Sequence, residues 1–155
     1  MKAETRIFGT IEIADDKIIT LDKGMIGFPN LKHFSLIFDE ESEKDKFTIM
    51  WLQSMDDGDI AFPVIMPTTV KPDYAPSVND EILCPLGELT AENTYILTTV
   101  TVPSNIEKIT SNFQAPIIIN TDNNKGAQII VEGDYEIRFP IYDLLQQLNS
   151  EKAGE

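Results

Sequence analysis

The apolar residues of this chain arrive in short runs of Ile, Val, Thr, Phe and Tyr broken by turn-forming residues, and that pattern confines it to a mainly β fold. Branched and aromatic side chains lose rotamer freedom in a helix but pack well on a pleated, half-buried surface. The strand candidates are Thr5–Phe8, Thr10–Ile13, Lys17–Leu21, His33–Phe38, Phe47–Leu52, Ile60–Met66, Thr94–Val102, Pro116–Asn120, Ala127–Glu132 and Tyr135–Phe139. Their spacing suggests a barrel or a sandwich. A chain of 155 residues suits one domain, expected over residues 1–149, with a disordered tail at 150–155.

Turn chemistry adds local detail. Gly133-Asp134 is a Gly-X pair of the kind that type II′ turns use, and it predicts a hairpin over Gln128–Phe139. Ala14-Asp-Asp16 suggests a second hairpin. Gly24 and Gly27, around Met25-Ile26 and before Phe28-Pro29, mark a loop from which Phe28 is expected to project. Prolines crowd the stretch from Pro63 to Pro85, so the connection after Pro67 reads as a long surface crossing rather than a central strand. Short helices are expected at Asn79–Leu83, capped by Asn79, near Ser104 or Asn105, and over Ile141–Leu148 after Pro140.

Charge narrows the function. The chain has 12 Lys and Arg against 26 Asp and Glu, a formal net charge of −14. Nucleic acid is bound by Lys and Arg replacing counterions on phosphate, so a field this negative argues against direct binding and favours a basic partner. One cysteine, Cys84, excludes an internal disulfide, and one histidine, His33, leaves no Cys/His zinc set. The opening residues hold no signal-peptide pattern, and no apolar run is long enough for a membrane span. A cytoplasmic monomer is expected.

Catalysis finds little support. A Ser/His/Asp hydrolase would need His33 as its base, and no Gly-x-Ser-x-Gly is present. Cys84 has acidic neighbours, Asp80 and Glu81, that disfavour a thiolate, and it reads as a small, partly buried apolar side chain. Asp122–Gly126 has a superficial likeness to a calcium loop, but its twelfth position is Gly133 where a bidentate Glu is required, so it reads as a hairpin turn. No phosphate-binding glycine loop occurs. No catalytic, cofactor or metal residue is therefore assigned. Two acid clusters, Asp39–Asp45 and Asp56-Asp-Gly-Asp59, are either solvated loops or a surface for a basic partner. Trp51, Phe62 and Phe113 are core residues or interface anchors.

Several motifs stand in a fixed order: Ile7-Phe-Gly9, Gly24-Met-Ile-Gly-Phe28, Trp51-Leu-Gln-Ser-Met-Asp56, Ile60-Ala-Phe62, Pro67, and Ser111-Asn-Phe-Gln-Ala-Pro-Ile-Ile-Ile-Asn120. The ordered set resembles the FliW family of bacterial flagellar assembly factors over nearly the whole chain. Two departures stand out: Phe113 lies where the family usually carries Leu, and the segment after Pro140 is longer than expected. The resemblance implies a small barrel-like antiparallel β fold with one to three short helices, and a protein that binds partners and catalyses nothing. It implies binding of flagellin through the C-terminal segment of flagellin. It also implies that the free protein binds and antagonises CsrA, a dimeric RNA-binding repressor of flagellin mRNA. The residues expected to meet CsrA are Asp56, Asp57 and Asp59 with Pro72 and Asp73, an acidic rim beside the proline-stiffened crossing. Those expected to meet flagellin are Phe28, Phe113 and Pro116, an apolar seat for a helical tail. An acidic chaperone or adaptor for flagellin without the CsrA role is the alternative, and an enzyme stands third.

Overall fold

The computed structural model describes residues 1–37, 49–78, 80–144 and 146. The acid cluster Asp39–Asp45, the helix cap Asn79, the end of the last expected helix and the tail at 150–155 lie outside the described residues. The strands are β1 (Lys2–Thr5), β2 (Gly9–Glu12), β3 (Ile19–Leu21), β4 (His33–Ile37), β5 (Met50–Ser54), β6 (Ala61–Ile65), β7 (Thr94–Thr101), β8 (Thr110–Ser111), β9 (Ile117–Asn120), β10 (Lys125–Gln128) and β11 (Phe139–Pro140). β1 and β2 form a separate hairpin, while β3-β4-β5-β6-β7-β9-β10 close into a seven-stranded barrel when β10 returns to β3. All barrel pairs are antiparallel except β3 with β10, which run parallel.

Alternation along the strands fills the barrel with Leu21, Phe34, Leu52, Val64, Leu97 and Ile117, all fully buried. The run Ile117–Ile119 breaks that alternation because β9 is covered on both faces. Ile117 and Ile119 point into the barrel, whereas Ile118 packs outward on Leu86 and Ile129. The cover is supplied by the proline-rich crossing, which holds α1 (Pro67–Val70), α2 (Asp80–Leu83) and a 3₁₀ turn at Cys84–Leu86. A second cluster closes one end of the barrel with Ile65, Tyr74, Ile109, Phe113 and Ile141. A 3₁₀ turn at Ile106–Lys108 is capped by the Asn105 side chain, which accepts from the Glu107 N–H. Residues 142–144 are helical after Pro140.

Three local expectations are corrected. The hairpin at Gly133-Asp134 does not form: β10 pairs with β9 through the turn at 121–124, and the Ile129 and Val131 N–H groups donate to Pro116 and Gln114 carbonyls instead of to Tyr135–Phe139. The hairpin at Ala14–Asp16 also fails, because β2 pairs back onto β1 and Asp15–Lys17 is a 3₁₀ turn leading into β3. Cys84 is exposed rather than partly buried.

The motif Ser111–Asn120, the signature segment, holds an insertion between two collinear strands. β8 and β9 lie end to end along β7, Ser111 opposite Val100 and Ile117 opposite Leu97. Residues 112–116 therefore face only Thr98 and Thr99, and they bulge out of the ladder. Asn112 shapes the bulge by accepting the Gln114 and Ala115 N–H groups on its Oδ1, each at 3.1 Å.

Candidate functional site

The Trp51–Asp56 motif is chiefly a device for holding the β5–β6 loop. Gln53 is fully buried, and its Nε2 donates to the carbonyls of Ser54, Gly58 and Ile60 at 2.9, 3.2 and 3.1 Å. Ser54 Oγ accepts the Asp56 and Asp57 N–H groups at 3.2 and 3.0 Å. The Asp56 carboxylate accepts the N–H groups of Lys32 and His33 at 2.7 and 2.8 Å, with His33 Nδ1 at 3.1 Å. Burial acts to raise this carboxyl, but the His33 and Lys32 backbone donors and the His33 ring outweigh it and hold the group below its ordinary range. Asp56 is thus engaged within the fold although it is exposed, as Asp57 and Asp59 beside it are.

The acidic rim expected from sequence is not one patch. Asp57 and Asp59 precede β6, whereas the exposed Pro72 and Asp73 follow α1 at its other end. A five-residue strand separates them, roughly 16 Å at ~3.3 Å per residue. Asp73 is paired locally with Lys71 at 3.4 Å. The β1–β2 hairpin lies against the aspartate loop: the Arg6 N–H donates to the Gly58 carbonyl at 3.0 Å and Arg6 Nε to the Asp59 carbonyl at 3.4 Å. Gly58 permits that approach, since a Cβ there would fall 1.8 Å from the Glu4 carbonyl oxygen.

The apolar trio divides in the same way. Phe113 is 1% exposed, stacked on Phe139 at 4.5 Å and tilted against Tyr74 at 5.0 Å. Pro116 is buried as well. Both shape the barrel wall and offer a partner no surface, which corrects their assignment as contact residues. Phe28, by contrast, is 41% exposed and rests edge-on against Phe62 at 5.4 Å.

Around Phe28 the motifs meet. The turn Gly24–Phe28 folds on itself through the Met25–Phe28 backbone pair, and Gly24 has no room for a Cβ, which would lie 2.5 Å from the Phe28 carbonyl oxygen. Gln128 fastens this turn to the signature segment. Its Oε1 accepts the Ile26 N–H at 2.8 Å while its Nε2 donates to the Ala115 carbonyl at 3.2 Å. A depression lies on each side of that clasp. One, about 260 Å³, is bounded by Phe62, Pro63, Val100 and Asn112. The other, about 420 Å³, is walled by Ile82, Leu86 and Ile130. Ile26 and Gln128 border both.

Ile26, Phe28, Ile82 and Ile130 are all exposed. Exposed apolar side chains gathered at the edge of a closed fold suit contact with another polypeptide. Among the described residues no group of three His, Cys, Asp or Glu side chains is placed to hold a metal ion, and no helix is long and apolar enough to cross a membrane. Phe28 was legible in the sequence from its place between Gly27 and Pro29. Gln128 and Ile130 were not, because they sat inside a stretch that reads as one arm of an ordinary hairpin.

Comparison with known proteins agrees with this architecture. The model of the family described as "FliW protein" matches residues 2–141. A protein from Lachnoclostridium phytofermentans named flagellar assembly factor FliW is 40% identical over 100% of this chain and 99% of its own length. Another of that name, from Lachnospira eligens, is 44% identical over 95% of this chain and 98% of its own. A crystal structure of the flagellar assembly factor FliW superposes with a TM-score of 0.81 at 28% identity, covering 92% of this chain and 97% of the other.

Proposed function

This chain belongs to the FliW family of flagellar assembly factors, and on that premise we propose that it binds flagellin in the cytoplasm and, when free of flagellin, binds and antagonises the translational repressor CsrA. Release of CsrA from flagellin mRNA would then follow the export of flagellin. The observation that carries this reading is the pairing of an exposed apolar surface around Phe28 with a net charge of −14. The first suits an apolar face of flagellin, and the second suits the basic surface that an RNA-binding repressor must present.

The charge also supplies a mechanism. An acidic protein docked beside the RNA-binding face raises the electrostatic cost of bringing phosphate near, without covering the whole RNA site. Asp57 and Asp59 are the side chains on which this reading of CsrA contact rests, and Phe28 is the one for flagellin. The decisive experiment titrates the protein into a complex of CsrA and flagellin-leader RNA, with and without flagellin, at two salt concentrations. RNA release that flagellin reverses, and that weakens at high salt, is expected. Flagellin binding with RNA retained throughout leaves the narrower reading, an acidic flagellin chaperone without CsrA control.

A further inference from the structure

The groove beside Ile130 contains an interruption in a sheet edge. Beyond β10 the chain stays extended and antiparallel to the signature segment, with Ile129 N–H donating to Pro116 at 3.0 Å and Val131 N–H to Gln114 at 2.8 Å. Backbone groups of alternate residues point to opposite edges of such a ladder. Those of Ile130 therefore point the other way, toward the edge that β3 occupies as far as the Leu21–Gly126 pair. Farther along, the same edge is occupied again, where Ser77 bridges to Glu132. Between these two pairings, among the described residues, neither the N–H nor the C=O of Ile130 has a hydrogen-bond partner. The open stretch spans residues 127–131, roughly 17 Å at ~3.3 Å per residue.

We propose that this gap receives an extended segment of a partner protein by strand addition, with apolar side chains at alternate positions and Lys or Arg at its flanks. The free amide and carbonyl of Ile130 call for backbone groups, which an incoming strand supplies and a helix, its own groups already paired, cannot. The flanking cavity of about 420 Å³ offers Ile26, Ile82 and Leu86 to the apolar side chains. Charge selects the flanks: Asp22 and Lys23 cancel within the lining, while Glu132 stands at one end of the open stretch in a chain of net charge −14. This goes beyond the partner assignment above and holds whichever chain supplies the segment.

The test uses the full chain and a synthetic blocked nonapeptide, Lys-Lys-Val-Ser-Val-Ser-Val-Lys-Lys, followed by amide NMR and hydrogen exchange. Saturable binding that slows exchange at the Ile130 amide is expected. Methylating the backbone nitrogens of the Val residues or of the Ser residues should give unequal losses, about tenfold apart or more, because only alternate amides of an added strand face the sheet. Ile82→Asp, which leaves the edge untouched, should weaken binding by a similar factor, and a Glu-flanked peptide should bind less tightly than the Lys-flanked one. No saturable binding, equal losses from the two methylation patterns, or an Ile130 amide that exchanges as fast with peptide as without would each overturn the proposal.

Discussion

The Tyr74 hydroxyl donates a 2.6 Å hydrogen bond to the Phe113 carbonyl, tying the proline-rich crossing to the inserted segment of the barrel wall. Burial, reinforced by the neighbouring Tyr135, pushes the Tyr74 phenol far above its ordinary value of 10.0, and burial alone raises Tyr95. Tyr74→Phe leaves that carbonyl without its donor and should cost about 1–2 kcal/mol in urea unfolding. Because the folded state prefers the neutral phenols, their contribution is complete below pH 10 and is lost as pH rises above it. The alkaline decline in stability should therefore be shallower in Tyr74→Phe than in the parent; equal slopes would refute the assignment.

Asp56 acts at the acid end. Its carboxyl is held below its ordinary 3.8 by the donors from His33 and Lys32 despite the opposing effect of burial. The stabilisation is present above that value and disappears as pH falls through the lower folded one. Asp56→Ala should lose about 1–2 kcal/mol at neutral pH, as for a helix cap, and should flatten the acid limb of the stability profile. A parent and variant that lose stability in parallel below pH 4 would show that other carboxylates control the acid transition.

Gly58→Ala should lift the β1–β2 hairpin from the aspartate loop, since the added Cβ has no space against the backbone of Glu4. The expected cost is about 1–3 kcal/mol. Hydrogen exchange at the Arg6 amide, bonded to the Gly58 carbonyl, should accelerate before any barrel amide does. Uniform acceleration would mean that the hairpin is integral to barrel stability.

Phe113 and Phe28 should separate packing from recognition. Phe113→Ala removes a buried ring and is expected to cost about 3–5 kcal/mol, with Phe113→Leu milder; flagellin affinity of the folded fraction should not change. Phe28→Ala, at an exposed position, should leave stability within about 1 kcal/mol and weaken flagellin binding. If Phe28→Ala binds flagellin as the parent does, the apolar surface belongs to some other contact.

Strand character was readable where branched and aromatic residues gather, as along Thr94–Thr101 and Ala61–Ile65. Pairing was harder to read. Gly133 does adopt the positive φ that a turn requires, yet Gln128–Val131 finds its partner in the signature segment, a contact that no local rule ranks above the nearby Tyr135–Phe139. The candidate surface was legible only in part for the same reason. Phe28 announces itself through two glycines, but the clasp from Gln128 to Ile26 spans 102 residues, and Phe113 looked like an anchor because an aromatic in a polar segment has the same local signature whether it faces a partner or the core.

The parallel pairing of β10 on β3, the one such pairing among the described residues, bears on how the molecule comes into being. The β9–β10 hairpin is the keystone that fits between β7 and β3, so the first strands of the barrel wait for residues near position 126 before their ring can shut. On a ribosome delivering about 5–20 residues each second, that interval is several seconds. Once β7 is complete at Thr101, the edges of β3 and β7 stand open together until the β9–β10 hairpin follows, and a chaperone attending the birth of this protein would find its purchase there.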